Sequence, residues 1–198
     1  MSGHLAIALL AAGSARRFGG GKLDAQLAGK KLGCHVLEAV LALDLGVPLV
    51  MVSEDAPAFA REAEAEGLAT LLVNPHAQEG LGTSVALAAR HAGEVGAGKL
   101  LLLAADMPLV SPATLAALVE ACADAPACVR HPDGHPGIPA CFPAASFPAL
   151  AALQGDRGAG ALLRSDGVAV LEVDPRELRD VDIAAELEAL AAEMAAEK

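Results

Sequence analysis

The sequence contains almost no aromatic side chains: its 198 residues include no Trp or Tyr and only four Phe. A buried core must therefore be built from the Leu, Val and Ala that supply much of the 54% apolar content. Charged residues make up 20% of the chain, which is typical of a globular protein and not of a disordered one. We expect one domain spanning residues 1–198.

Other features are missing as well. No apolar run approaches the roughly 20 residues needed to cross a bilayer, and the first residues lack the basic segment that opens a signal peptide. The four cysteines include no CxxC pair, so they predict buried free thiols and not a zinc site or redox motif. These absences predict a cytoplasmic protein with no membrane partner.

Positive charge is scarce, because the formal net charge is −11. This balance argues against nucleic acid or an anionic membrane as a partner. Residues 1–31 are the exception, with one acid, Asp24, and the basic residues Arg16, Arg17, Lys22, Lys30 and Lys31. A local basic segment on an acidic chain predicts a small anionic ligand.

Apolar runs suited to buried strands alternate with helical patterns. Strands are predicted at 4–10, 47–52, 68–74 and 99–106, and helices at 34–44, 56–67, 81–93 and from Ser111 onward. Two short strands around a turn (127–142), helices at 144–153 and 158–165, a strand at 167–173 and a helix at 183–198 are predicted to follow. The alternation predicts an α/β, Rossmann-like three-layer sandwich, with a mostly parallel sheet and helices on both faces.

The loop LAAGSARRFGGGK follows the first predicted strand. Ligands of such sheets bind beyond the carboxyl ends of the strands, and glycines let backbone N–H groups approach an anion. The loop fits neither the P-loop pattern, because Leu23 follows Lys22, nor GxGxxG, because Ala15 stands two residues after Gly13. The alternative is a generic glycine-rich loop with solvated basic side chains.

The loop resembles the LAAGxSxRxGxxK signature of the nucleotidyltransferases of the molybdenum cofactor and sugar-nucleotide superfamily. Gly13, Arg17, Gly19 and Lys22 are in register, and Ala15 replaces the signature Ser. Further similar segments follow in order, at 74–89 (NPxxxxGxxxS), 104–110 (GDMPxV), 134–142 (GHPxxF), 155–163 (GDxGAxxLL) and 179–187 (DIDTPEDL). The combination is most similar to the molybdenum cofactor cytidylyltransferases, whereas the guanylyltransferase branch usually reads LAGG in place of LAAG.

The resemblance implies a fold of the nucleotide-diphospho-sugar transferase type and Mg²⁺-dependent transfer of CMP from CTP to the terminal phosphate of molybdopterin. The product would pass to a molybdenum hydroxylase or its chaperone through a transient contact. Nucleotide binding is assigned to Leu10, Ala11, Ala12, Gly13, Arg17, Lys22, Gly80, Thr83, Ser84 and Asp106. Of these, Arg17, Lys22 and Asp106 are the predicted catalytic residues, and Asp156 is the predicted acceptor-binding residue.

Asp106, at the end of an apolar strand, is a predicted Mg²⁺ ligand, because Mg²⁺ prefers one or two carboxylates together with phosphates and water. The resemblance implies Asp182 as the second ligand, with Asp180 as the second choice. Plainer roles remain open. Asp106 can cap a turn, Thr83 or Ser84 can cap a helix, and Asp156 can do the same.

Three other functions remain open for the whole chain. These are guanylyl transfer to the same acceptor, nucleotidyl transfer to a sugar phosphate or methylerythritol phosphate, and nucleotide binding without turnover.

Overall fold

The computed structural model describes residues 4–13 and 17–196, and its strands and helices alternate as the apolar pattern predicts. The strands are β1 (Leu5–Leu10), β2 (Gln26–Leu27), β3 (Lys30–Lys31), β4 (Leu49–Val52), β5 (Thr70–Val73), β6 (Lys99–Ala104), β7 (Ala127–Arg130), β8 (Pro136–Pro143) and β9 (Ala169–Leu171). The α-helices are α1 (Leu32–Leu41), α2 (Ala58–Ala65), α3 (Leu81–Glu94), α4 (Pro112–Ala121), α5 (Phe147–Ala151), α6 (Gly160–Leu163) and α7 (Ala184–Ala196).

Seven strands form one sheet in the order β5-β4-β1-β6-β8-β7-β9. Only β8 runs against its neighbours, since it pairs antiparallel with both β6 and β7 while every other pair in this sheet is parallel. The two short strands predicted around a turn are therefore β7 and β8. The remaining strands, β2 and β3, form a separate small hairpin that the sequence pattern did not predict.

Alternate residues of the central strands pack on opposite faces of the sheet, as the period of two requires. On β1, Ile7 and Leu9 join a core with α1, α2 and α4, whereas Ala8 and Leu10 join a core with α3, α5 and α6. Because both faces are covered, the central strands appear in the sequence as continuous apolar runs. The predicted three-layer sandwich is confirmed.

Helix α7 packs away from the main sheet. Leu187 and Leu190 are buried against Leu27 and Leu32 near the β2–β3 hairpin, together with Val181. This third, smaller core fixes the segment that precedes α7, and that segment carries Asp180 and Asp182.

The remaining expectations about helices and cysteines hold with small differences. Helix α4 begins at Pro112 with Ser111 as its cap, because the Ser111 hydroxyl accepts a hydrogen bond from the Thr114 N–H at 3.1 Å. All four cysteines are free thiols, and Cys122, Cys128 and Cys141 are buried. None of the helices in the described part of the chain is long and apolar enough to cross a membrane.

Candidate active site

A cleft of about 1160 Å³ opens at the carboxyl ends of the parallel strands. Its wall includes the residues that follow β1, β4, β5 and β6, as expected for a sheet of this type. Of the sequence-predicted site residues, those in the wall are Leu10, Ala11, Ala12, Gly13, Lys22, Gly80, Ser84, Asp106 and Asp156. Arg17, Thr83 and Asp182 lie outside the lining residues.

Strand β1 lies between β4 and β6, and the glycine-rich loop starts where β1 ends, at this edge of the sheet. The Ala11 N–H donates to the Met51 carbonyl at 2.9 Å, and the Ala105 N–H donates to the Leu10 carbonyl at 3.1 Å. These bonds fix the start of the loop beside Asp106, which stands two residues after β6. Ser14, Ala15 and Arg16 lie outside the described residues.

Lys22 joins two carboxylates that are far apart in the sequence. Its Nζ lies 2.7 Å from Asp106 Oδ2 and 3.5 Å from Asp182 Oδ1, and its side chain is only 11% exposed. Asp106 accepts this charged hydrogen bond and is not observed to cap the following turn. The structure thus brings together the predicted catalytic Lys22 and Asp106 and both predicted metal ligands.

Backbone contacts hold the segment of Asp182 against Asp106. The Val181 N–H donates to the Asp106 carbonyl at 3.0 Å. One oxygen of Glu186 accepts from the N–H groups of Asp182 at 2.7 Å and Ile183 at 3.1 Å. This is half of a capping box, since Ile183 has no hydroxyl to complete it. This role of Glu186 was not predicted from the sequence. Its position, three residues after Ile183, could have indicated it.

Asp180 also lies in the cleft wall. Burial raises the pKa of its carboxyl, and repulsion from Asp106, Asp182 and Glu186 adds to the rise, while a hydrogen bond to its own backbone opposes it. The carboxyl of Asp180 therefore interacts electrostatically with both predicted metal ligands.

Arg17 lies on the surface beside the same cluster. Its Nη1 is 2.6 Å from Asp182 Oδ2, but its side chain is 79% exposed. In this arrangement Arg17 neutralises Asp182 at the rim of the cleft and does not face its interior.

The wall of the cleft is acidic. Among the lining residues that the structure describes, Lys22 is the only Lys or Arg, while the carboxylates are Asp24, Glu54, Asp55, Asp106, Asp156 and Asp180. A polyanionic ligand entering such a cleft requires a cation to offset the repulsion.

The donor set near Lys22 fits a divalent metal that arrives with phosphates. The described residues contain no group of three or more His, Cys, Asp or Glu side chains placed to hold a metal alone. Asp106 and Asp182, which both contact Lys22, could supply the one or two carboxylate ligands that Mg²⁺ or Mn²⁺ commonly takes when phosphate oxygens and water complete its shell.

A buried amide orders the start of α3. Asn74 is 3% exposed, and its Nδ2 donates to Thr83 Oγ1 and Ser84 Oγ, both at 2.9 Å. Its Oδ1 accepts from the His76 N–H at 3.0 Å. The sequence analysis gave Asn74 no role of its own, and α3 has Gly80 as its cap residue with no side-chain cap, so neither Thr83 nor Ser84 caps it.

Gly80 and Gly82 are packed against the loop that carries Asp156. A Cβ at Gly80 would overlap the carbonyl of Gly155, and a Cβ at Gly82 would lie 2.6 Å from the Arg157 carbonyl oxygen. The Gly82 N–H also donates to the Gly155 carbonyl at 2.8 Å. The close approach that these glycines permit is therefore to protein backbone.

Asp156 lies in the cleft wall and does not cap the helix that follows. Helix α6 has Ala159 as its cap residue, without a side-chain hydrogen bond. The same wall contains His131 and Ile138, from the β7–β8 hairpin.

Asp24 fixes the end of the glycine-rich loop. Its two carboxylate oxygens accept from the Ala58 N–H at 2.8 Å and the Phe59 N–H at 2.7 Å, at the start of α2. Asp24 belongs to the same 3-10 turn as Lys22. This cap comes from a residue more than thirty positions away in the sequence, so local pattern gave no sign of it.

The fold and the cluster around Lys22 define a nucleotidyltransferase. The chain belongs to the family of the MobA-like NTP transferase domain, which it matches over residues 7–172. It is 34% identical over 197 residues to the purine catabolism protein PucB of Bacillus subtilis, covering 91% of this chain and 93% of that protein. It is also 42% identical over 103 residues to a phosphoenolpyruvate guanylyltransferase of Rubrobacter xylanophilus. That second match covers 50% of this chain and only about half (48%) of the relative.

Solved structures share the whole fold. A nucleotidyl transferase from Methanothermobacter thermautotrophicus superposes with a TM-score of 0.81 at 21% identity, over 98% of this chain and 99% of that one. Rv0371c from Mycobacterium tuberculosis, in complex with manganese, superposes with a TM-score of 0.76 at 25% identity, over 96% and 98%.

Proposed function

We propose that this protein transfers CMP from CTP to the terminal phosphate of molybdopterin, or of its metal-loaded form, and releases pyrophosphate with Mg²⁺ as cofactor. The observation that carries the proposal is the contact of Lys22 with Asp106 and Asp182 beside the glycine-rich loop, at the mouth of an acidic cleft. A single, partly buried cation between two carboxylates suits a reaction that moves negative charge from one phosphate to another.

The residues divide the work between the two substrates. The backbone of Leu10–Gly13 would line the triphosphate path, and Lys22 would bind the triphosphate oxygens, since all of these residues lie in the cleft wall. Asp106 and Asp182 would hold Mg²⁺, which when bound supplies positive charge to the reacting phosphates. Arg17 can leave the solvent-exposed pair with Asp182 at little cost, because exposed ion pairs contribute about 0–1 kcal/mol.

The chemistry requires no general base. The attacking phosphate is already an anion, so its oxygen can bond to the α-phosphorus of CTP as the bond to the pyrophosphate oxygen breaks. Catalysis then consists of holding the two groups in line and stabilising the charge that develops. The cleft fits this demand, since the described side chains that pair with Lys22 are the carboxylates of Asp106 and Asp182, and neither is a nucleophile paired with a base.

The choice of CTP depends on the sequence Leu10-Ala11-Ala12-Gly13, which resembles the cytidylyl branch of the family. Guanylyl transfer is the second candidate, because the Rubrobacter relative that matches half of this chain is named a guanylyltransferase. Molybdopterin as acceptor is supported by the segment GDRGAGALL, which places Asp156 in the cleft wall. We place the reaction in the cytoplasm, with transient delivery of the product to a molybdenum hydroxylase or its chaperone.

The test is pyrophosphate release by the purified protein with molybdopterin and Mg²⁺, run in parallel with CTP and with GTP. Release with CTP alone supports the proposal, and release with GTP alone keeps the reaction but overturns the base. The Asp106→Asn variant is the matched control, because the amide preserves shape while removing the charge that holds the metal. Unchanged turnover in that variant would exclude the metal role of Asp106.

A further inference from the structure

One part of the cleft wall contains polar side chains that the phosphate chemistry does not use. His131 and Ile138 come from the β7–β8 hairpin, and Asp156 comes from the loop before α6. Neither His131 nor Asp156 belongs to the ion pairs around Lys22. They are therefore free to recognise another part of a bound substrate.

The ring of His131 is held in one orientation. Its Nε2 lies 2.9 Å from the Ile138 carbonyl oxygen. The same edge of the ring faces Gly137 so closely that a Cβ there would lie 2.8 Å from Cδ2 and Nε2. A side chain at position 137 would push the ring away, so the glycine is what allows this placement.

The hydrogen bond to Ile138 fixes the tautomer. A carbonyl oxygen can only accept, so Nε2 carries the proton, and in the neutral ring Nδ1 is then an acceptor. No hydrogen bond to Nδ1 is present among residues 4–13 and 17–196. His131 therefore presents an unused hydrogen-bond acceptor in the cleft wall.

Asp156 is placed by backbone contacts and not by its own carboxylate. The loop around it is fastened to the start of α3 by the bond from the Gly82 N–H to the Gly155 carbonyl at 2.8 Å. The carboxylate makes no hydrogen bond or ion pair within the part of the chain that the structure describes. An ionised carboxylate accepts and does not donate, so the cleft wall that includes Ile138 offers a second acceptor.

We infer that His131 Nδ1 and the Asp156 carboxylate bind the N–H edge of a 2-amino-4-oxopyrimidine ring in the acceptor substrate. Two unpaired acceptors in one cleft wall suit a ligand that presents adjacent N–H groups, and the 2-amino group with the ring N3–H of a pterin is such an edge. Ile138 supplies an apolar contact for the face of the ring. The inference rests on the proposed acceptor and assigns the residues that distinguish its heterocycle.

The test uses two small probes and a pair of substitutions. Pterin carries the 2-amino group, and lumazine has a carbonyl in its place, so the ratio of their dissociation constants reports recognition of that edge. His131→Gln keeps a donor near the position of Nε2 but removes the Nδ1 acceptor. His131→Asn keeps an acceptor near the position of Nδ1 but loses the bond to Ile138. His135→Gln, an exposed change on the same hairpin, is the matched control.

We expect wild-type protein to prefer pterin over lumazine, and His131→Gln to bind pterin about tenfold more weakly with that preference lost. His131→Asn should retain more of the preference than His131→Gln, and Asp156→Asn should reduce it. CTP affinity should stay unchanged in all of these variants. A role of His131 in folding alone would reverse the order, because only His131→Asn breaks the bond within the hairpin.

Three results would overturn the inference. The first is no preference for pterin in the wild-type protein, and the second is equal pterin binding in His131→Gln and wild type. The third is competition of GTP with pterin, with GTP affinity lowered in His131→Gln, which would assign this wall to the nucleotide base. Pyrophosphate release with molybdopterin tests the proposed function separately. The proposed function stands if release persists while His131→Gln leaves the acceptor KM unchanged. It fails if no release occurs.

Discussion

The cleft contains two sets of polar side chains, and they differ in whether they have a hydrogen-bond or ion-pair partner in the protein without a ligand. Around Lys22, the carboxylates of Asp106 and Asp182 each contact a cation of the protein itself. At the other set, the Nδ1 of His131 and the carboxylate of Asp156 have no such partner among the described residues. We call these the paired set and the open set.

The difference shows what a ligand must do at each place. A metal that binds Asp106 must weaken the 2.7 Å bond to Lys22, and a phosphate oxygen near Lys22 compensates that loss. A ligand at the open set replaces only water, so its hydrogen bonds add to binding directly. The paired set is thus suited to chemistry in which charge moves, and the open set to recognition.

The largest expected effect comes from removing the cation of the paired set. Lys22→Ala should lower kcat with CTP about a hundredfold or more, because a charged donor aimed at the transferring phosphates is lost. Pterin affinity at the open set should not change. Steady-state rates of pyrophosphate release and a pterin titration measure the two effects on the same preparation.

Lys30→Ala is the control for this prediction. Lys30 pairs with Glu38 at 2.6 Å, but both side chains are 52% exposed, so its loss should change stability by less than about 1 kcal/mol and leave kcat intact. Equal losses of activity in the two variants would show that general basicity of the segment, and not the position of Lys22, supports turnover.

The paired set was largely predictable from sequence, and the open set was not. Lys22, Asp106 and Asp182 fall in recognisable segments, and the carboxyl ends of parallel strands meet at one edge of the sheet. The existence of strands β1, β4 and β6 followed from continuous apolar runs, because helices cover both faces of the sheet. What the pattern could not show was the ion pairs themselves. They join Lys22 to Asp106 and Asp182, which lie 84 and 160 positions further along the chain.

The open set depends on contacts that have no periodic signature. His131 reaches Ile138 across the hairpin because Gly137 has no side chain, and nothing in the spacing of the prolines reveals that geometry. The packing of Gly80 on Gly155 also could not be predicted from the sequence, since a glycine near the start of a helix is equally consistent with a ligand-binding role. Close backbone approaches between distant loops are tertiary facts that single-sequence reasoning does not reach.

A second effect, on stability, is expected where Gly80 packs against the loop that carries Asp156. Gly80 has φ +125° and touches Gly155, so Gly80→Ala adds both backbone strain and overlap and should lower the free energy of unfolding by on the order of 3 kcal/mol. Gly67→Ala is the matched control, because Gly67 also has a positive φ, +71°, but has open space around its Cβ position. That change should cost about 1 kcal/mol from strain alone.

Denaturant titration of both glycine variants measures the difference. If Gly80→Ala still folds, its displaced loop should weaken pterin binding, since Asp156 moves with Gly155. Equal destabilisation by the two substitutions would mean that the contact between the loops contributes nothing, and the open set would then have to be positioned by other contacts.

The smallest expected effect comes from removing the helix cap by which Asp24 holds the turn of Lys22 in place. Asp24→Ala removes the acceptor of the Ala58 and Phe59 N–H groups at the start of α2, which should lower the free energy of unfolding by about 1–2 kcal/mol. The same turn carries Lys22, so CTP should bind severalfold more weakly while pterin binding stays unchanged. Ser111→Ala, which removes the cap of α4 at 3.1 Å, should cost similar stability with no change in CTP affinity. If both variants weaken CTP binding equally, the effect follows from lost stability, and Asp24 has no part in positioning Lys22.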